Sequence, residues 1–108
     1  MSKPQQIVLC TCPDSETADR LAAAVVERRL AACVNIVPGL TSVFRWQGRV
    51  ERDGEVLLLI KTTAAGYPAL ERTLCELHPY ELPEVIAVDI ETGLAGFLRW
   101  MDESVELQ

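Results

Sequence analysis

The only histidine of the chain, His78, opens the run His78-Pro79-Tyr80-Glu81-Leu82-Pro83-Glu84. Proline fixes its own φ and pushes the residue before it toward extended backbone. The run therefore reads as a stiff connector holding an imidazole, a phenol and two carboxylates at set spacings. An imidazole can ligate a metal, act as a general base, or fix a loop by hydrogen bonds. One histidine cannot build a metal site alone. It needs thiolates, carboxylates such as Glu81 and Glu84, or ligands from a second subunit.

Four cysteines are the other soft ligands. Cys10 and Cys12 lie two apart in a strand-like run, so both side chains leave the same face. Two adjacent sulfurs suit Cu(I), although buried free cysteines more often pack as small hydrophobes. Cys33 stands at a helix-to-strand junction beside Asn35, where packing and ligation are both open. Cys75 falls between the apolar rows of a helix and reads as structural. Lys61 ends an apolar strand and is a candidate anion contact. Trp46 and Trp100 could flank a pocket, or simply pack. No nucleophile–base spacing, phosphate-binding glycine loop or zincin helix occurs. A binding or regulatory protein is expected rather than an enzyme.

These residues must be positioned by a small set of elements. Residues 7–12 form a β-leaning apolar run. Pro13-Asp14-Ser15 starts a helix that the periodicity carries to Leu30, with Leu21 and Val25 on its apolar face. Strand character follows at residues 33–37, is interrupted at Pro38-Gly39, and resumes at residues 41–46. Gln47-Gly48 is a two-residue turn. The return strand is perturbed at Asp53-Gly54, which suggests a bulge, and continues through residues 55–62. A second helix spans residues 67–77, a last strand residues 85–90, and a short final helix residues 94–103. The order β-α-β-β-α-β plus a C-terminal helix predicts an α+β, ferredoxin-like single domain over residues 1–108.

Composition narrows the partners. With 10 basic and 16 acidic residues the net charge is −6, and no basic run is present, which argues against nucleic acid. Residues 1–6 lack the apolar core of a signal peptide, and no apolar run is long enough to span a bilayer. The expectation is a cytoplasmic protein with reduced cysteines and no membrane partner.

Two strands carry a further signal. Val56-Leu57-Leu58-Leu59-Ile60 and Ile7-Val8-Leu9-Cys10 are apolar at every position instead of alternating. Such strands need cover on both faces, while helices in this plan supply one. Each Leu or Val left in water forfeits about 1.5–3 kcal/mol. A homo-oligomer packed through the helix-free face is expected; the competing possibility is shielding by the C-terminal helix.

Several ordered segments resemble one family. They are Leu30-Ala31-Ala32-Cys33-Val34-Asn35, Ser42-Val43-Phe44-Arg45-Trp46-Gln47-Gly48, residues 55–63, His78-Pro79-Tyr80 with Pro83-Glu84, and Phe97-Leu98-Arg99-Trp100. Together they are similar to CutA, the divalent-cation tolerance family, over nearly the whole chain. The resemblance implies a homotrimer like the PII signalling proteins and a role in tolerance of copper or another divalent cation. It also implies clefts between subunits, lined by Cys33, Trp46, Lys61, His78, Tyr80, Glu84 and Trp100. Cys33 and His78 are then the leading metal ligands, and Trp46, Lys61, Tyr80, Glu84 and Trp100 the cleft residues. Cys12 stands outside the usual family pattern. The alternative is a PII-like sensor binding a small anion in the cleft, with Lys61 supplying charge. An unidentified protein or small-molecule partner is also compatible with the sequence.

Overall fold

The computed structural model describes residues 4–106. Its elements are β1 (Gln5–Cys12), α1 (Ser15–Glu27), β2 (Cys33–Trp46), β3 (Arg49–Thr63), α2 (Tyr67–Leu77), β4 (Ile86–Asp89) and α3 (Ala95–Ser104). The strands make one antiparallel sheet in the order β2-β3-β1-β4. This is the ferredoxin-like arrangement, with α3 added.

Local chemistry explains the element ends. The Asp14 carboxylate accepts from the backbone N–H of Thr17 at 2.8 Å and caps α1. That bond holds its carboxyl below the usual range. α1 stops at Glu27, short of the expected Leu30, because Arg29 takes φ 59° and turns the chain. Leu30 then drops into the core at 2% exposure. α2 has the predicted bounds. It ends where the His78 N–H bonds the Leu74 carbonyl and His78 turns extended, as a residue before proline should.

The β2–β3 hairpin departs from expectation in one respect. β2 continues through Pro38-Gly39, and its register slips between Val37 and Leu40. Thr41 and Ser42 face Gly54 and Asp53 in regular pairing. The irregularity is therefore in β2, at a proline without an N–H and a glycine at φ 82°, and not at Asp53-Gly54. The turn at Gln47-Gly48 has φ 49° and 79°, as a tight hairpin of this hand requires.

Alternation along β1 and β3 sorts the two faces. Val8, Cys10 and Cys12, with Val56, Leu58 and Ile60, are buried beneath α1 and α2 and meet Leu21, Val25, Leu70 and Leu74. Thr62 shares that face and donates its hydroxyl to the Leu30 carbonyl at 2.8 Å. The opposite face carries Ile7, Leu9, Leu57 and Leu59, all partly buried. Beside them Ile86 and Val88 are 51% and 53% exposed. α3 covers only one end of the sheet: Gln5 Nε2 donates to both Asp102 carboxylate oxygens at 3.0 Å, and Met101 is fully buried. The C-terminal helix does not shield the rest of this face.

Candidate metal centre and acidic cleft

His78 is held by backbone on both sides of its ring. Nε2 lies 2.7 Å from the Thr11 carbonyl, and Nδ1 accepts the Tyr80 N–H at 3.1 Å. A carbonyl only accepts and an N–H only donates, so the proton sits on Nε2. The ring is 7% exposed and stacks obliquely against Tyr80, with centroids 4.7 Å apart. Of the three roles open to this histidine in the sequence, loop fixing is the one its bonds perform.

The same loop places His78 beside β1. Cys10 and Cys12, each fully buried, point to the helix side, and their sulfurs lie within 4.8 Å of one another and of a His78 ring nitrogen. The proximity of the Cys12 thiol, then burial, pushes Cys10 upward, and the same proximity lowers Cys12. The nearby Glu84 carboxylate adds to the upward push on Cys10. The sequence showed that the thiols share a face. It did not show that the imidazole, far along the chain from Cys12, closes on them.

Cys33 lies elsewhere. It pairs with Lys61, which in turn pairs with Ile7, whereas His78 meets β1 at Thr11. Four strand residues separate those levels, about 13 Å along the sheet. Within one chain Cys33 and His78 therefore share no ion. Cys33 is half-buried and Cys75 is exposed on α2.

A cleft of about 820 Å³ opens between the β2–β3 hairpin and the loop after α2. Trp46, Tyr80 and Glu84 line it, with Phe44 beside them. Its charged lining is Glu51, Asp53, Glu55, Glu81 and Glu84, with no lysine or arginine among the described residues. The Tyr80 hydroxyl donates to Glu55 at 2.7 Å; desolvation, then this bond, raises the phenol above its ordinary range. Lys61 and Trp100 do not line this cleft. Lys61 bonds the Asn35 side-chain oxygen at the far end of the sheet. Trp100 packs on Phe97 of α3 at 5.3 Å between centroids. The carboxylates that dominate the cleft went largely unmarked in the sequence. Their signal was an acidic residue at every second position, Glu51, Asp53 and Glu55, which puts all three on one face.

Comparison with known proteins converges on one group. Residues 6–104 match the family model of the CutA1 divalent ion tolerance protein. A Thermus thermophilus divalent-cation tolerance protein CutA is 51% identical over 100 residues, covering 93% of this chain and 97% of that protein. Protein CutA of Mus musculus is 47% identical over 96 residues, covering 89% of this chain. The chain spans about half, 54%, of that mammalian protein's length. A solved structure of a divalent cation tolerance protein from Thermus thermophilus superposes with a TM-score of 0.93 at 50% identity, covering 94% of this chain and 99% of the other. A solved structure from Archaeoglobus fulgidus, described as a periplasmic divalent cation tolerance protein, superposes with a TM-score of 0.91 at 37% identity, covering 94% and 99%.

Proposed function

The chain belongs to the CutA1 divalent ion tolerance family, and on that premise we propose that it supports metal-ion tolerance by binding copper or a related cation in the cytoplasm as a homotrimer. One observation carries the choice of a cation: the cleft presents five carboxylates and no basic side chain among the described residues. A concave wall of one sign concentrates ions of the other. The same observation weighs against the reading as a sensor of small anions, since Lys61, the cation that reading needs, lies away from the cleft.

Supporting features fit the remaining parts. The half-exposed Ile86 and Val88, with Leu9, Leu57 and Leu59, form an apolar face suited to self-association. Four free cysteines suit a reducing compartment. The single histidine spends both ring nitrogens on backbone, which favours binding over acid–base catalysis. An ion shared by Cys33 and His78 would need both residues to come from different subunits.

The test is calorimetric titration with Cu(II), Co(II) and Mn(II), on the wild type, on the Glu51→Gln/Asp53→Asn/Glu55→Gln variant and on Cys33→Ser. Weaker binding by at least about tenfold in the triple variant supports the cleft. Unchanged binding there removes the cleft from the function. Unchanged binding in Cys33→Ser removes Cys33 as a ligand.

A further inference from the structure

Arg29 ends α1 in a conformation usually left to glycine, with φ at 59°. Its N–H bonds the Val26 carbonyl at 3.0 Å, and the Leu30 N–H bonds the Val25 carbonyl at 2.9 Å. Leu30 and Val25 both lie in the core, the apolar pairing that accompanies this kind of helix ending. Glycine would hold the same backbone without the crowding of a Cβ. A side chain kept at such a position calls for a role that glycine cannot fill.

Its contacts supply one. The Arg29 guanidinium donates to the Glu103 carbonyl, in the last turn of α3, at 2.9 Å. Its Nε lies 3.4 Å from the Glu106 carboxylate, and its own carbonyl accepts the Glu106 N–H at 2.9 Å. A helix leaves its last carbonyls unpaired and carries partial negative charge at that end. α3 has no basic residue in its last turn, where Asp102 and Glu103 stand instead. Its N-cap, Leu94, makes no side-chain bond. A helix of 10 residues with such ends is too short to persist by itself. The cation that its C-terminus lacks comes from the end of α1.

We infer that Arg29 is a clip between two helices: its backbone ends α1, its guanidinium caps α3, and α3 with residues 105–106 forms a strap fastened there. The strap crosses the end of the sheet. It is held at Gln5 of β1 through Asp102, and Val105 lies against Gly66 at the start of α2, where an added Cβ would come within 2.8 Å of Val105 Cγ1. The Arg29 and Glu106 side chains are 50% and 58% exposed, so their ion pair adds little. The charge-assisted bond to the Glu103 carbonyl is the main hold. When Arg29 lets go, the strap opens as one unit and uncovers Met101, otherwise fully buried. This clip depends on neither the cation reading nor the assembly.

The test is amide hydrogen exchange of the full chain, read residue by residue. Arg29→Gly relaxes the backbone of the turn and removes the clip. Amides of residues 98–104 should then exchange at least about tenfold faster, the effect of losing one hydrogen bond to a charged group. Amides of α1 and α2 should keep their wild-type rates. Arg29→Lys, which leaves a cation at the end of α3, should recover part of the protection. Arg28→Ala, one residue earlier, should leave α3 unchanged. Wild-type exchange of α3 in Arg29→Gly overturns the clip. A loss of protection spread evenly over α1, α2 and the sheet also overturns it, because Arg29 would then serve the turn alone. No recovery in Arg29→Lys, or the same loss in Arg28→Ala, overturns the part assigned to the guanidinium.

Discussion

Tyr80 donates its backbone N–H to Nδ1 of His78 at 3.1 Å, two residues back, and its hydroxyl to Glu55 at 2.7 Å. One residue thus ties the buried imidazole to the carboxylates of the cleft. Pro79, between them, removes a backbone donor and narrows the loop's choices.

His78→Ala should unfasten that loop. It strands the Thr11 carbonyl and the Tyr80 N–H, of which the first sits beside the core. A cost of roughly 2–4 kcal/mol is expected from the lost bonds and the space left behind. Urea denaturation of the metal-free chain measures it. A change below about 0.5 kcal/mol would mean that water or the loop itself replaces both bonds.

The two tyrosines should titrate late. Desolvation, then the bond to Glu71, pushes Tyr67 up to about 12. Tyr80 is raised by desolvation and then by Glu55. The folded state favours the neutral phenols, so this contribution is fully present below the unfolded value near 10. It is lost as pH rises through the folded values, near 12 for Tyr67. Absorbance at the tyrosinate band should stay flat near pH 10 in the native chain and be half-developed there in urea. Coincident curves would show that neither phenol is protected.

Neighbouring leucines of β3 should fail differently. Leu58 is fully buried under the helices, and Leu59 faces the other way, partly buried. Leu58→Ala is expected to cost about 2–5 kcal/mol. Leu59→Asp should leave the helix-side core intact and separate the proposed homotrimer. Denaturation and light scattering read the two effects. Unchanged molar mass in Leu59→Asp would exclude this face as the interface.

Gly48 sits at φ 79° with open space where a Cβ would go. Gly48→Ala therefore costs only backbone conformation, about 1–2 kcal/mol. Gln47→Gly, at φ 49°, should recover part of that in the double variant. Thermal unfolding of both variants checks the pair, and a neutral Gly48→Ala would show that the turn relaxes to another type.

Much of the architecture is written locally. The second helix reads directly from Tyr67, Leu70, Leu74 and Leu77 at helical spacing. The turn at Gln47-Gly48 follows from its residue types. The end of the first helix is not legible in the same way, because Arg28 and Arg29 are good helix formers and nothing local announces that Arg29 turns left-handed. Pro38-Gly39 and Asp53-Gly54 carry similar breaker signals, so local sequence does not say which strand holds the bulge. Only cross-strand pairing shows which of them absorbs the extra residue.

The candidate site divides along the same line. From the sequence alone, Cys10 and Cys12 share a face, because strand side chains alternate with period two. Glu51, Asp53 and Glu55 share a face for the same reason. Local periodicity says nothing about what lies across a gap. That His78 closes on the two sulfurs, that Tyr80 reaches Glu55, and that Cys33 lies about 13 Å along the sheet from the histidine all depend on the register of β1 against β3 and on where α2 ends. Those are settled by packing the whole apolar core at once, through contacts far apart in the chain.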